Sequence, residues 1–134
     1  MVRTSRFLRW LKELGRKKPP RSIMDRGSDQ TVWAFGHDGK IDYSSRVLVK
    51  LCSAYVVDEE YRFTFRPTDS LSWIDRQFFP NGNDDFLELT CFVDDIRISW
   101  QLQLDVKIDE VTLADIIEAI RSDNRSKTSE SKNK

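Results

Sequence analysis

The chain has 134 residues, no net formal charge, 33% charged residues and 11% aromatic residues. That length suits one domain, and the aromatic content excludes a wholly disordered chain. No apolar run is long enough for a transmembrane helix or a signal-peptide core, so the protein is expected to be cytoplasmic and not secreted.

The zero net charge balances unlike parts. Residues 1–26 hold nine basic and two acidic side chains, net +7. Residues 27–120 hold eight basic and eighteen acidic ones, net −10, and residues 121–134 hold five and two, net +3. The chain reads as a basic amphipathic arm with its linker (1–30), an acidic body (31–121) and a disordered basic tail (122–134).

Residues 4–15 place Phe7, Trp10, Leu11 and Leu14 at i, i+3, i+4 and i+7, with Arg6, Arg9, Lys12 and Glu13 on the other side. That spacing predicts a short helix with a basic polar face, started at Thr4 or Ser5 and ended by Gly15. Residues 16–30 carry Pro19, Pro20, Gly27 and mixed charges, which predicts a linker. Thr31 to Phe35 reads as a first strand, closed by a turn through Gly36-His37-Asp38-Gly39. Arg46 to Val57 is apolar on both sides and reads as a central strand, and Tyr61 to Arg66 alternates as its hairpin partner.

Pro67 ends that strand. Thr68, Asp69 or Ser70 then caps a helix that turns Leu71, Ile74 and Phe78 inward. Phe86 to Val93 reads as another strand and Asp94-Asp95 as a tight turn. From Ile96 to Ile108 every even position is apolar and every odd one polar, the period of a half-buried strand. Thr112 and Asp115 have capping-box spacing, and Leu113, Ile116, Ile117 and Ile120 make a helical stripe. The expected fold is therefore α+β: an antiparallel sheet of about five strands with helices on one face, in the order β-β-β-α-β-β-α, plus the basic N-terminal helix.

No catalytic signature is present, and a non-enzymatic protein without cofactor or metal is expected. His37 is the only histidine and lies in a glycine-bounded turn, which excludes the usual zinc and nucleophile–base spacings. Asn81, Asn83, Asp85 and Glu88 offer oxygens in one loop without the pattern of a calcium loop. Tyr61, Phe63 and Phe65, interleaved with Arg62 and Arg66, read as core aromatics rather than a base-stacking platform, because an acidic body repels phosphate. Cys52 and Cys91 fall in apolar runs, which predicts buried, reduced thiols.

The basic arm is the candidate site: Arg6, Phe7, Arg9, Trp10, Leu11, Lys12, Leu14, Arg16, Lys17, Lys18 and Arg21. Three readings compete. The arm can lie on an anionic membrane, with its aromatic and leucine side chains in the interface and its cations at the headgroups. It can bind nucleic acid or serve nuclear import through Arg16 to Arg21. Or it can dock on its own acidic body. A basic amphipathic start, then Lys17-Lys18-Pro19-Pro20, then a compact domain resembles the layout of small matrix proteins of negative-strand RNA viruses, rhabdoviruses especially. Pro19-Pro20-Arg21-Ser22 carries no tyrosine of the Pro-Pro-x-Tyr budding type. The resemblance implies a matrix-like or accessory protein of viral assembly. Its partners would be membrane and nucleoprotein, and it would self-associate. An adaptor binding a host factor through the acidic body or a sheet edge is the alternative.

Overall fold

The computed structural model describes residues 17–81, 86–104 and 110–132. Its helices are α1 (Arg21–Met24), α2 (Tyr43–Ala54), α3 (Leu71–Phe78), α4 (Leu87–Trp100) and α5 (Leu113–Lys132). Two 3-10 helices, Thr31–Gly36 and Glu59–Thr64, lie on either side of α2. Among the described residues the only sheet is a two-stranded antiparallel hairpin, β1 (His37–Asp38) and β2 (Ile41–Asp42), in which His37 pairs with Asp42 and Asp38 with Ile41. The chain is thus mainly helical, and the expected five-stranded sheet with helices on one face is overturned.

The apolar run expected as a central strand is α2. Tyr43, Val47, Leu48, Leu51 and Cys52 are buried together, a stripe of helical spacing that Tyr55 extends just past the last turn. Asp42 caps it by accepting the Ser45 N–H at 3.0 Å. No glycine stops it. Val56 takes a left-handed φ of 55°, Val57 N–H donates to the Cys52 carbonyl at 2.8 Å and Val56 N–H to Ser53 at 3.3 Å. This is a Schellman ending with valine where glycine is usual. A β-branched residue there costs about 1–2 kcal/mol, more than glycine's extra entropy in the unfolded chain. Val56 is 53% exposed, so little packing is lost with its side chain. Val56→Gly is therefore expected to stabilise the protein by about 0.5–1 kcal/mol in urea denaturation; a lower midpoint would show that the turn is not strained.

The two strands expected around Asp94-Asp95 are one helix, α4. Leu89, Phe92, Val93 and Ile96 are buried and Trp100 is half-buried, a stripe that runs through the two aspartates and leaves them in solvent. The even-position pattern fails at Ile98, which is 77% exposed. Gln101, at φ 49°, turns the chain, and the N–H groups of Gln101 and Leu102 both reach the Arg97 carbonyl. Arg97 Nε then holds the Leu104 carbonyl at 2.9 Å, folding the segment back along the end of α4.

The expected strand 31–35 is a 3-10 helix with Trp33 buried. The expected strand 61–66 is the second 3-10 helix with an extended exit, in which Phe63, Thr64 and Phe65 are buried in succession rather than alternately. Of the three expected helices, the one at residues 4–15 lies outside the described residues, and the two of the body form. Ser70 Oγ accepts the Trp73 N–H at 3.2 Å at the start of α3. At α5, Thr112 N–H donates to Asp115 Oδ2 and Asp115 N–H to Thr112 Oγ1, the reciprocal pair of a capping box. Leu113, Ile116, Ile117 and Ile120 are all buried beneath it. Asn124 donates to the Tyr43 hydroxyl, and α5 runs on through the stretch read as a tail, to Lys132.

The core gathers round α2, which packs against both 3-10 helices, α4 and α5. Trp33 Nε1 donates to the Phe65 carbonyl at 3.2 Å, and Ser44 Oγ to the Trp33 carbonyl at 2.9 Å. Gly36 lies so close that a Cβ there would sit 1.7 Å from Ser44 Oγ, which is why this position takes no side chain.

Candidate functional site

Of the arm residues singled out, Arg6, Phe7, Arg9, Trp10, Leu11, Lys12, Leu14 and Arg16 lie outside the described residues. Lys17, Lys18 and Arg21 are described, and all three are exposed. The backbone beneath them is fixed. Lys17 forms a parallel bridge with Val57, and the Asp58 N–H donates to the Lys17 carbonyl at 3.2 Å. Pro19 is buried. The Pro20 carbonyl accepts from Ile23 and Met24 at 2.9 Å each, starting α1, and Ile23 is fully buried. Proline at the mouth of a helix fits this geometry, because it has no N–H to leave unpaired.

Arg26, counted by sequence among the arm cations, is structural. Its Nη1 and Nη2 each donate to the Asp69 carboxylate at 2.8 Å, and Nη2 also donates to the Thr64 carbonyl at 2.9 Å. Its guanidinium lies 5.1 Å from the centre of the Trp73 ring. Arg66 closes the knot from the other side. Its backbone N–H donates to Asp69 Oδ2 at 2.9 Å. Its Nη1 donates to the Phe63 carbonyl at 2.8 Å, and its Nη2 to Arg26 and Gly27 at 3.0 and 2.9 Å. Bidentate arginine–carboxylate pairs are geometrically specific, so the knot sets the register of residues 17–30 on the body. The stretch read as a linker is part of the packed structure over its described length.

With Arg26 taken up, residues 1–25 hold eight basic and two acidic side chains, net +6. Lys17, Lys18 and Arg21 make no ion pair with the described residues. At this end of the molecule Asp29 receives the Thr31 hydroxyl and N–H, which hold its carboxyl below the usual range.

The other sequence candidates separate. His37 is half-exposed, with Nε2 3.4 Å from Asp42 across the hairpin. Among the described residues no three His, Cys, Asp or Glu side chains gather as a metal site; Asn83 and Asp85 lie outside those residues. Phe63 and Phe65 are buried, while Arg62 covers the Phe63 ring at 4.6 Å and donates to the Glu59 carbonyl, so these residues present no stacking face. Cys52 is buried, but Cys91 is exposed on α4, a correction that follows from reading α4 as a helix. One feature was invisible by sequence: an open groove of about 410 Å³ between α2 and the end of α4, lined by Ser45, Arg46, Val49, Lys50, Ser99 and Trp100. Its residues are half a chain apart, and only the helix pairing joins them.

Among the described residues no helix is long and apolar enough to cross a membrane. No protein-family model, curated protein or solved structure matches the chain.

Proposed function

We propose that this is a non-enzymatic interaction protein of matrix type, which places its basic N-terminal segment on an anionic surface. The surface is a membrane leaflet carrying acidic lipid, and the setting is the assembly of a virion from the cytoplasmic side. The observation that carries the reading is the state of Lys17, Lys18 and Arg21. They are exposed and unpaired among the described residues, and they stand on backbone clamped by Pro19, Ile23 and the Arg26–Asp69 pair. Segregation of charge in the sequence supports the same reading, since +6 stands before a body that is strongly acidic. A backbone already fixed beneath the cations leaves only their side chains to order on binding, which favours contact with a dense array of headgroups.

The test is cosedimentation of the full chain with vesicles of phosphatidylcholine, with and without phosphatidylserine. Binding is expected only with the acidic lipid, and it weakens as salt rises. The variant Lys17→Glu/Lys18→Glu/Arg21→Glu changes only exposed side chains and should fold normally. At ~1 kcal/mol per cation near the surface, it should bind about 100-fold more weakly or worse. Equal binding to neutral vesicles, or an unaffected variant, sinks the membrane reading. Retention on single-stranded RNA without vesicle binding replaces it with the nucleoprotein one.

A further inference from the structure

The groove between α2 and α4 sets two cations of the acidic body in a concave surface with apolar walls. Arg46 and Lys50 lie one turn apart on α2, with Val49 between them and Ser45 at the upper edge; Ser99 and Trp100 form the facing wall. The other described cations of the body are mostly occupied. Arg66 is wrapped in carbonyls, Arg62 covers Phe63, and Arg97 holds the Leu104 carbonyl and Asp94. Arg46 is exposed and makes no ion pair or hydrogen bond with the described residues. Lys50 has one carboxylate, Asp95, at 3.0 Å, which also receives the Ser99 hydroxyl at 3.2 Å. So the groove holds more positive charge than its own carboxylate neutralises.

We infer that this groove docks an acidic peptide segment of a partner protein, with a ligand carboxylate on Arg46 and Lys50 and an adjoining apolar side chain against Val49 and Trp100. The choice of occupant follows from the walls. A single-stranded nucleic acid needs a free aromatic face, but Lys50 Nζ lies 5.7 Å from the centre of the Trp100 ring, and the Tyr43 ring packs on Trp100 at 6.4 Å. A polyanionic backbone also meets the negative body on either side of two cations. A lipid surface is flat, whereas these residues line a recess. A peptide carrying one or two carboxylates satisfies Arg46 without extending its charge over the acidic flanks. The size of the groove suits a few side chains.

The test is selection of random twelve-residue peptides, displayed on phage, against the immobilised full-length protein and against Arg46→Glu. Arg46 is exposed and unpaired, so the variant should keep the wild-type melting temperature and circular dichroism. The expected result is enrichment of Asp or Glu next to Leu, Phe or Trp on the wild type, and its loss on Arg46→Glu. The winning peptide, measured by fluorescence anisotropy, should bind Arg46→Glu at least tenfold more weakly. It should bind the Lys17→Glu/Lys18→Glu/Arg21→Glu protein with unchanged affinity, which separates this site from the basic arm. A consensus that survives Arg46→Glu, a basic consensus, no consensus at all, or a peptide lost with the arm variant overturns the assignment. So does an oligouridylate that binds the wild type and is released by Arg46→Glu.

Discussion

Asp69→Ala is expected to lower the unfolding free energy by about 2–3 kcal/mol, far more than an ordinary surface ion pair contributes. Asp69 is 7% exposed in its side chain and Arg26 28%, so the pair is substantially withdrawn from water. Deleting the carboxylate strands a guanidinium over Trp73 and leaves the Arg66 N–H without its acceptor. The backbone around Asp69 is also committed: its carbonyl accepts from Leu113, and that of Pro67 from Ala114, joining the knot to the start of α5. The loss falls below the 3–5 kcal/mol typical of broken buried pairs because Arg26 retains some hydration and the Thr64 carbonyl. Urea unfolding of the full chain measures it. Arg26→Met/Asp69→Ala should cost less than the two single changes together, since it removes both charges. Hydrogen exchange at residues 17–27 should quicken in Asp69→Ala before the rest of the chain. A loss under about 0.5 kcal/mol would mean that the pair adds nothing to stability and that the arm's root is held by Pro19, Ile23 and the Lys17–Asp58 backbone bond.

The parts of the fold legible in the sequence were those with a local cap. Ser70 before Leu71, and Thr112 with Asp115, announce helix starts within four residues, and both form as read. Short apolar patterns suggest strands where a longer helical one runs through them. Leu89, Phe92, Val93, Ile96 and Trp100 keep helical spacing across Asp94-Asp95; two solvent-side aspartates in mid-helix look like a turn only if the stripe on the far side is ignored. The alternation after Ile96 drew on Ile98, whose side chain points away from the core. In α2, Val47 and Val49 favour a strand by propensity, and the tertiary burial of the helix overrides it. Its ending was hidden because Val56 fills the left-handed position where glycine would have signalled a stop.

The candidate site was legible as charge and not as geometry. Nine basic residues in the first 26 can be counted, but nothing local separates Arg26, which is tied to a carboxylate 43 residues away, from Lys17, Lys18 and Arg21, which are not. Likewise Arg46 and Lys50 are two cations in an apolar run until α4 brings Ser99 and Trp100 opposite them. Long-range pairing decides which charges remain available for a partner, and a count along the chain cannot see it.

Stability is expected to collapse in mild alkali, by about 4 kcal/mol between pH 8 and pH 11, through two side chains of the α2 segment. Cys52 is 1% exposed, and burial pushes its thiol from 9.0 up to about 12. Tyr55 is 4% exposed; burial first, then its hydrogen bond to Asp75 at 2.7 Å and that carboxylate's charge, raise its phenol well above the usual value near 10. Below pH 9 both groups are protonated in the folded and the unfolded chain, so they add no slope. Above it the unfolded chain gives up the thiol proton while the folded chain keeps it. The unfolded state then binds fewer protons, and stability falls by about 1.4 kcal/mol per pH unit. Tyr55 adds a similar slope from about pH 10. Urea midpoints at pH 8, 9, 10 and 11 read the curve, with Cys52→Ala delaying the fall to about pH 10. Tyr55→Phe removes the phenol's share above pH 10, at a cost of about 1–3 kcal/mol at neutral pH for the lost donation to Asp75. Tyr55 should show its tyrosinate absorbance only as the chain unfolds. A midpoint that stays level from pH 9 to 10.5 would place Cys52 in contact with water, against its burial on the inward side of α2.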